Sequence, residues 1–161
     1  MDGQIDEVTR KSDHIETSQN LDDFKNWPAE LIEEMKQSHN NGCVGSILVS
    51  ETPQLRVWHL RLPAGYRCPF HRHVNPYFWS SHNDGRARNY FSSGEIKEVN
   101  HFAGETRHFH YGGDEYMLHS VENIGDTELL FTTVEFINGE NEPLEIPDGY
   151  RLKEPTIQPD C

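Results

Sequence analysis

The central part of the chain alternates between short hydrophobic runs and clusters of turn-forming residues. The runs are rich in β-branched and aromatic side chains, which pack well on a pleated sheet, and Gly, Pro, Asn and Asp separate them. This pattern predicts strands around residues 71–79 and over residues 44–49, 55–62, 88–91, 95–99, 106–111, 116–121 and 128–136. Many short strands at near-regular spacing indicate an antiparallel sandwich or barrel.

A helical pattern precedes the strands, within residues 21–42. Pro28 stands where a first helical residue would, because the missing N–H of proline is not needed at that position. The sequence Asn40-Asn41-Gly42 follows and is typical of a helix end. We therefore expect a short helix whose apolar side packs on a sheet and carries Leu31, Ile32 and Met35.

The chain as a whole divides into four predicted segments. Residues 1–20 are polar and carry no sustained period, so we expect a flexible or loosely docked arm. The helical lead-in (21–42) is followed by the predicted barrel (43–137). Residues 138–161 are rich in Pro, Gly and charge, and we expect an extended tail that lies over the barrel.

Length, charge and cysteine content narrow the function classes. A chain of 161 residues is long enough for one domain with its own core. The formal net charge of −13 disfavours nucleic acids and anionic membranes as partners, because both select basic patches. Cys43, Cys68 and Cys161 are scattered, which fits reduced thiols better than a disulfide framework. The sequence has no membrane-length apolar run and no signal-peptide core, so we expect a cytoplasmic protein.

The most informative stretch carries two histidines, His71 and His73, with one residue between them. Alternate side chains of a strand project to the same side, roughly 7 Å apart along the strand, so both imidazoles can reach one metal ion. A divalent first-row metal needs at least one more ligand from another strand. The best candidate is His119, and the sequence predicts a metal site at these three histidines.

Six positions also match two short motifs of a known protein family. They are Gly65, His71, His73 and Gly85 at the spacing of the first motif, and His119 and Asn123 at the spacing of the second. Over residues 44–137 the sequence resembles the cupin superfamily, and it is similar to small bacterial cupins associated with β-alanine degradation. The resemblance implies an all-β double-stranded β-helix (jelly roll) barrel, here with a short N-terminal helix, that holds a metal ion inside and is often a homodimer.

Two positions depart from the pattern of that family. Its glutamate ligand is missing, because Tyr77 or Phe78 stands there, depending on the spacing used. The Pro-x-Gly turn before the second-motif histidine is replaced by Asp114-Glu115-Tyr116. Three imidazoles without glutamate would leave metal positions open, which among cupins resembles thiol dioxygenases and the β-diketone-cleaving dioxygenase. That resemblance implies Fe(II), and Zn, Ni or Mn stay open as alternatives.

Further side chains are candidates for the same site. Tyr77 could donate a proton, or could form part of an aromatic wall. His108 and His110 share one face of a predicted strand and could supply a fourth ligand or orient one, or could be surface residues. His101 lies in a polar context and is expected to be inert. A carboxylate substrate would select a guanidinium group, for which the candidates are Arg86, Arg88 and Arg107.

Three functions are compatible with these residues. The leading expectation is a mononuclear non-haem Fe(II) oxygenase that acts on a small organic acid or thiol. The second is a redox-neutral isomerase, lyase or decarboxylase that uses Zn, Mn or Ni as a Lewis acid. The third is a small-molecule-binding module without turnover. The fold alone cannot choose among them, because the same barrel supports many unrelated chemistries.

Overall fold

The computed structural model describes residues 17–19 and 24–153. In chain order its elements are β1 (Thr17–Gln19), α1 (Ala29–Gln37), β2 (Ile47–Glu51), β3 (Leu55–Leu62), β4 (Arg67–His73), β5 (Tyr77–Ser81), β6 (Gly85–Phe91), β7 (Ile96–His101), β8 (Thr106–Phe109), β9 (Met117–Asn123), β10 (Leu129–Phe136) and a one-turn 3-10 helix (Asp148–Tyr150). Within these ranges no helix combines the length and the apolar character that crossing a membrane requires.

The strands form two antiparallel five-stranded sheets, with the orders β1-β7-β6-β9-β4 and β2-β3-β10-β5-β8. From β3 to β10 the pairing is nested, because the first of these eight strands pairs with the last (β3 with β10) and the second with the seventh (β4 with β9). A nested order of this kind is that of a jelly roll, or double-stranded β-helix. The strand order therefore confirms the predicted all-β barrel with a short N-terminal helix.

Strand alternation decides which side chains fill the space between the two sheets. On β3, Trp58 and Leu62 are buried, whereas the neighbouring His59 is exposed. Trp58 lies opposite Thr133 of β10 in the ladder, and Leu62 lies opposite Leu129. All four of these paired side chains are buried, so this face of each strand lines the interior.

Helix α1 covers the outer face of the sheet that contains β4. Leu31 and Met35 on its apolar side pack together with Trp27 against Phe70 of β4. Burying apolar side chains of this size stabilises a fold by about 1.5–3 kcal/mol each. Because Phe70 faces the helix, the next residue, His71, faces the interior. The packing of the predicted helix thereby fixes which side of β4 carries the histidines.

The described part of the predicted tail, residues 138–153, packs across β2 and β3. Ile146 is buried in a cluster that includes Leu48 and Trp58. Arg151 forms a parallel bridge with Leu48, which fastens the end of the described tail to β2. This placement agrees with a tail that lies over the barrel, while the boundaries of the four segments stay a prediction.

Some sequence predictions fall outside the described residues. Of the arm at 1–20, only β1 is described, and it pairs with β7. Cys161 also lies outside. Cys43 and Cys68 are free thiols, and burial raises the pKa of Cys43 to about 11 and that of Cys68 to about 12. Both thiols are therefore protonated and unreactive at neutral pH.

Candidate metal centre

Two neighbouring strands bring the three predicted histidine ligands together. His71 and His73 alternate along β4, and His71 lies directly opposite His119 of β9 in the ladder. A β-bulge between Cys68 and His71 shifts the register of β4, so that both of these side chains reach the interior although they are three residues apart. The bulge therefore sets the position from which His71 enters the cluster.

One pair of the three imidazoles has the spacing of two ligands on one metal ion, and the third lies close by. Their candidate ligand atoms all lie within 4.8 Å of one another. Nε2 of His73 and Nε2 of His119 are 3.1 Å apart. Two nitrogens that each lie about 2.0–2.1 Å from one ion are separated by roughly 2.8–3.4 Å, for angles between octahedral and tetrahedral. The observed separation falls in this range.

Burial keeps these imidazoles neutral, which is the form that binds metal ions. It lowers the pKa of His71 to about 4 and the pKa values of His73 and His119 well below their ordinary value. Repulsion from neighbouring imidazoles of the cluster lowers the latter two further. Nδ1 of His71 lies 2.8 Å from the carbonyl oxygen of Pro69, which can only accept a hydrogen bond. Nδ1 therefore donates, and Nε2 keeps its lone pair.

Aromatic stacking orients the other two rings. The buried Nδ1 atoms of His73 and His119 have no hydrogen-bond partner among the described residues. The ring of His73 instead stacks on Tyr77 with a centroid distance of 4.1 Å, and the ring of His119 stacks on Phe91 at 5.7 Å. The three histidines thus form a group of neutral, fixed nitrogen donors that could hold a divalent metal ion.

The cluster lies at the wall of an internal cavity of about 330 Å³ between the two sheets. A cavity of this volume is at the lower end of the range typical for small-molecule sites. Most of its wall is apolar, with aromatic side chains from β5, β8 and β10. Besides the three histidines, the polar side chains at the wall are Tyr77, Asn89, Lys97, His101, Arg107 and Thr133.

Tyr77 forms part of an aromatic stack beside the cluster. Its ring lies between those of His73 and Phe109, at centroid distances of 4.1 and 4.6 Å. The ring of Tyr111 is stacked farther along, at 6.2 Å from that of Tyr77, and burial raises the pKa of Tyr77 well above its ordinary value. The placement fits the aromatic-wall alternative, and the proton-donor role of Tyr77 stays a prediction.

The three candidate arginines have different surroundings. Arg107 lines the cavity, and its Nε donates a hydrogen bond of 3.2 Å to Glu105. Arg86 and Arg88 both pair with Glu98 and do not line this cavity. Of the three, only Arg107 is therefore placed to meet a carboxylate bound next to the histidines.

The structure does not bring His108 or His110 to the cluster. Arg107 and Phe109 of β8 face the cavity, so His108 between them faces outwards, where it is exposed and contacts the ring of Phe78 at 5.2 Å. His110, just beyond β8, is also exposed. Strand alternation thus places both on the outer face, as in the surface alternative, and not within ligand distance.

His101 was expected to be inert, and the structure places it in the cavity wall. Strand β7 runs to His101, whereas the hydrophobic pattern predicted an end at residue 99. Continued alternation from Lys97 and Val99 would have placed His101 on the same face. Its partner Glu105 is buried beyond the strand and has no distinctive motif. Sequence reasoning missed the pair because it ended the strand two residues early.

A scan against protein-family models finds no match, and a search of curated proteins finds none either. Solved structures do resemble the chain. A cupin domain from Bordetella pertussis Tohama I shares 23% identity over 57% of this chain and 93% of its own, with a TM-score of 0.49. A conserved protein with a double-stranded β-helix domain from Klebsiella pneumoniae shares 19% identity over 63% and 85%, with a TM-score of 0.46.

Oxalate decarboxylase of Bacillus subtilis, solved in connection with its Mn(II) centres, shares 23% identity over 55% of this chain and 22% of its own, with a TM-score of 0.41. Likenesses at this level concern the fold and carry nothing about activity. The strand order of this chain itself shows the double-stranded β-helix fold. The association with β-alanine degradation stays a prediction.

Proposed function

We propose that the protein is a metal-dependent enzyme, a mononuclear non-haem Fe(II) oxygenase that acts on a small organic acid or thiol. His71, His73 and His119 would hold the ion. The observation that supports this most is the convergence of three neutral imidazoles at the wall of a mostly apolar cavity. When bound, the ion would supply redox chemistry with dioxygen and a template for the substrate.

The remaining side chains of the cavity would bind the substrate and exclude water. Its apolar wall favours a substrate with a compact apolar body, since burying apolar surface is favourable. Arg107 reaches the same cavity and would bind a carboxylate through its guanidinium fork. Tyr77, whose raised pKa keeps it protonated, would hold the His73 ring in place by stacking and is the nearest phenol that could donate a proton.

The direct experiment is anaerobic reconstitution with Fe(II), followed by oxygen-uptake measurements with a panel of small organic acids, thiols and diketones. We expect iron-dependent uptake with at least one class and no uptake by a His71→Ala, His73→Ala double variant. If the wild-type protein takes up no oxygen with any member of the panel although it has bound iron, the oxygenase proposal fails.

A second candidate is a redox-neutral isomerase, lyase or decarboxylase with Zn, Ni or Mn at the same histidines. The observation that favours it is a histidine in the cavity wall, His101, hydrogen-bonded to the buried carboxylate Glu105, because such reactions depend on proton transfer. Elemental analysis of protein purified without chelators separates the two candidates. Stoichiometric zinc, with no gain in oxygen uptake after exchange for iron, would favour the second.

A further inference from the structure

A second polar group lies in the cavity wall, apart from the three-histidine cluster. Nδ1 of His101 is 2.7 Å from Oε1 of Glu105. Both side chains are almost completely enclosed, with 7% and 4% of their surface exposed. A carboxylate accepts hydrogen bonds, so Nδ1 of His101 is the donor. This arrangement is the one by which a carboxylate fixes the tautomer and the orientation of a histidine.

The charge of the buried carboxylate has its own counter-ion. Nε of Arg107 donates a hydrogen bond of 3.2 Å to Oε2, the other oxygen of Glu105. One carboxylate thus holds two side chains that both line the cavity, His101 and Arg107. The side chain of Arg107 is 41% exposed and that of Glu105 only 4%, so the pair holds a buried carboxylate to a partly solvated guanidinium group.

Aromatic rings hold the imidazole on its two other sides. Trp79 contacts it edge-on with a centroid distance of 5.3 Å and an interplanar angle of 87°, and Phe131 does so at 5.0 Å and 84°. A ring fixed in this way loses little freedom on binding a substrate. In the neutral ring, Nε2 carries the lone pair and lies on the edge away from Nδ1, since the two nitrogens are separated by Cε1.

We infer that His101 is a proton-transfer residue of this cavity and that Glu105 is its positioning residue. This role rests on the proposed function, because its substrate is the molecule that would bind beside the three histidines. The substrate class is an organic acid or ketone with an acidic C–H next to a carbonyl. An imidazole whose Nδ1–H is held by a carboxylate can take up such a proton at its other nitrogen.

The proton-transfer step balances within the cavity. The C–H bond next to the carbonyl breaks, its proton passes to Nε2 of His101, and its electron pair remains on the substrate as an enolate. The imidazolium so formed is stabilised by Glu105. The negative charge on the substrate is offset by the cations of the same wall, Lys97 and Arg107. The imidazolium exchanges its Nε2 proton with solvent, and delivery of the exchanged proton to the substrate restores the neutral ring.

The test uses exchange of substrate protons for solvent deuterium, which does not require oxygen. Full-length protein, with and without Fe(II), is incubated in D₂O with pyruvate, 2-oxobutyrate or phenylpyruvate, and loss of the C–H signal is followed by NMR. We expect protein-catalysed exchange with at least one of them, about 100-fold or more slower in His101→Gln. The matched control is His82→Gln, an exposed histidine, which should exchange at the wild-type rate.

The positioning role of Glu105 is tested by measurements that would not change if Glu105 only stabilised the fold. In wild-type protein, ¹⁵N NMR of the neutral ring should show the His101 proton on Nδ1, and Glu105→Gln should mix the two tautomers. Glu105→Gln should also lower kcat for exchange at least 10-fold, leave KM nearly unchanged and alter the pH profile of the exchange rate. Glu105→Asp, which keeps a carboxylate, should retain part of the activity that Glu105→Gln loses.

The outcomes separate this inference from the metal proposal. Exchange in His101→Gln at the wild-type rate, a wild-type ring with its proton on Nε2, or no exchange with any of the three acids would each overturn the inference. Metal content is measured on the same samples and should be unchanged in His101→Gln. Wild-type protein that binds no metal but catalyses an exchange that depends on His101 would contradict the proposed function alone.

Discussion

The chain contains the pattern His-x-His on two strands, and the two copies have opposite surroundings. His71 and His73 on β4 are buried and face a third histidine across the ladder. His108 and His110, on and just after β8, are exposed, and His108 contacts the ring of Phe78. Identical spacing therefore gives a candidate metal site on one strand and an outward-facing pair at the other.

The difference lies in what covers each strand. The outer face of β4 is occupied by Phe70 under helix α1, which leaves the histidine face for the interior. On β8 the inner face is taken by Arg107 and Phe109. The spacing of a His-x-His pair indicates that the two imidazoles lie on the same side of a strand. The neighbouring elements decide whether that side faces a partner histidine or solvent.

Removing His119, the third histidine that faces the buried pair, should have the largest effect on metal affinity. We expect His119→Ala to weaken binding of Fe(II) or Zn(II) by about 100- to 1000-fold, because four-ligand sites are worth about 10–16 kcal/mol, or roughly 2.5–4 kcal/mol per ligand. Isothermal titration calorimetry measures this, with His59→Ala, an exposed strand histidine, as the control. A loss below 10-fold would mean that His119 is not a ligand.

Acid should destabilise the metal-free protein through its buried histidines. Burial lowers the pKa of His71 to about 4, against about 6.5 when unfolded, so between these pH values the unfolded chain binds more protons. Stability therefore falls as pH falls through this window, by about 3 kcal/mol at pH 4 for His71 alone.

Urea unfolding from pH 7 to pH 4 measures this slope. Other groups also titrate there, so the comparison is between wild type, His71→Asn and a His108→Gln, His110→Gln double variant. The first variant should lose part of the slope, and the second should keep all of it. Equal slopes in all three proteins would contradict a neutral, buried His71.

The buried pair also differs from the exposed pair in how a ring is oriented. Tyr77 stacks on His73, whose Nδ1 has no hydrogen-bond partner among the described residues. Tyr77→Ala should weaken metal binding by about 10-fold, at the low end of the losses seen when a group that orients a ligand is removed. Tyr77→Phe keeps the ring and should bind metal within 3-fold of wild type. Should Tyr77→Phe keep its metal but lose turnover, the phenol would be a proton donor as well.

The smallest expected effect is on the binding of a carboxylate, when Arg107, which precedes the exposed pair, is replaced. Arg107→Gln should weaken binding of a carboxylate probe such as benzoate by about 5-fold, in keeping with about 1 kcal/mol for a partly exposed charge pair. Arg86→Gln, which removes a surface arginine paired with Glu98, should have no effect. NMR titration gives both affinities, and equal losses in the two variants would remove Arg107 from the site.

The sequence was sufficient for the fold and for the three clustered histidines, because alternation and motif spacing report on both directly. It could not place Arg107 and His108, since the face that a strand turns inwards depends on its neighbours. It also missed Glu105, a buried carboxylate defined by contacts with His101 and Arg107 that no local pattern encodes. The expected homodimer and the cytoplasmic location stay predictions.

The most direct measurement of the central claim compares the two His-x-His pairs in one assay. Metal content after Fe(II) or Zn(II) loading and gel filtration is determined for wild type, a His71→Ala, His73→Ala double variant and a His108→Ala, His110→Ala double variant. We predict about one equivalent in wild type and in the second variant, and none in the first. Equal metal content in both double variants would contradict a metal centre at the buried histidines.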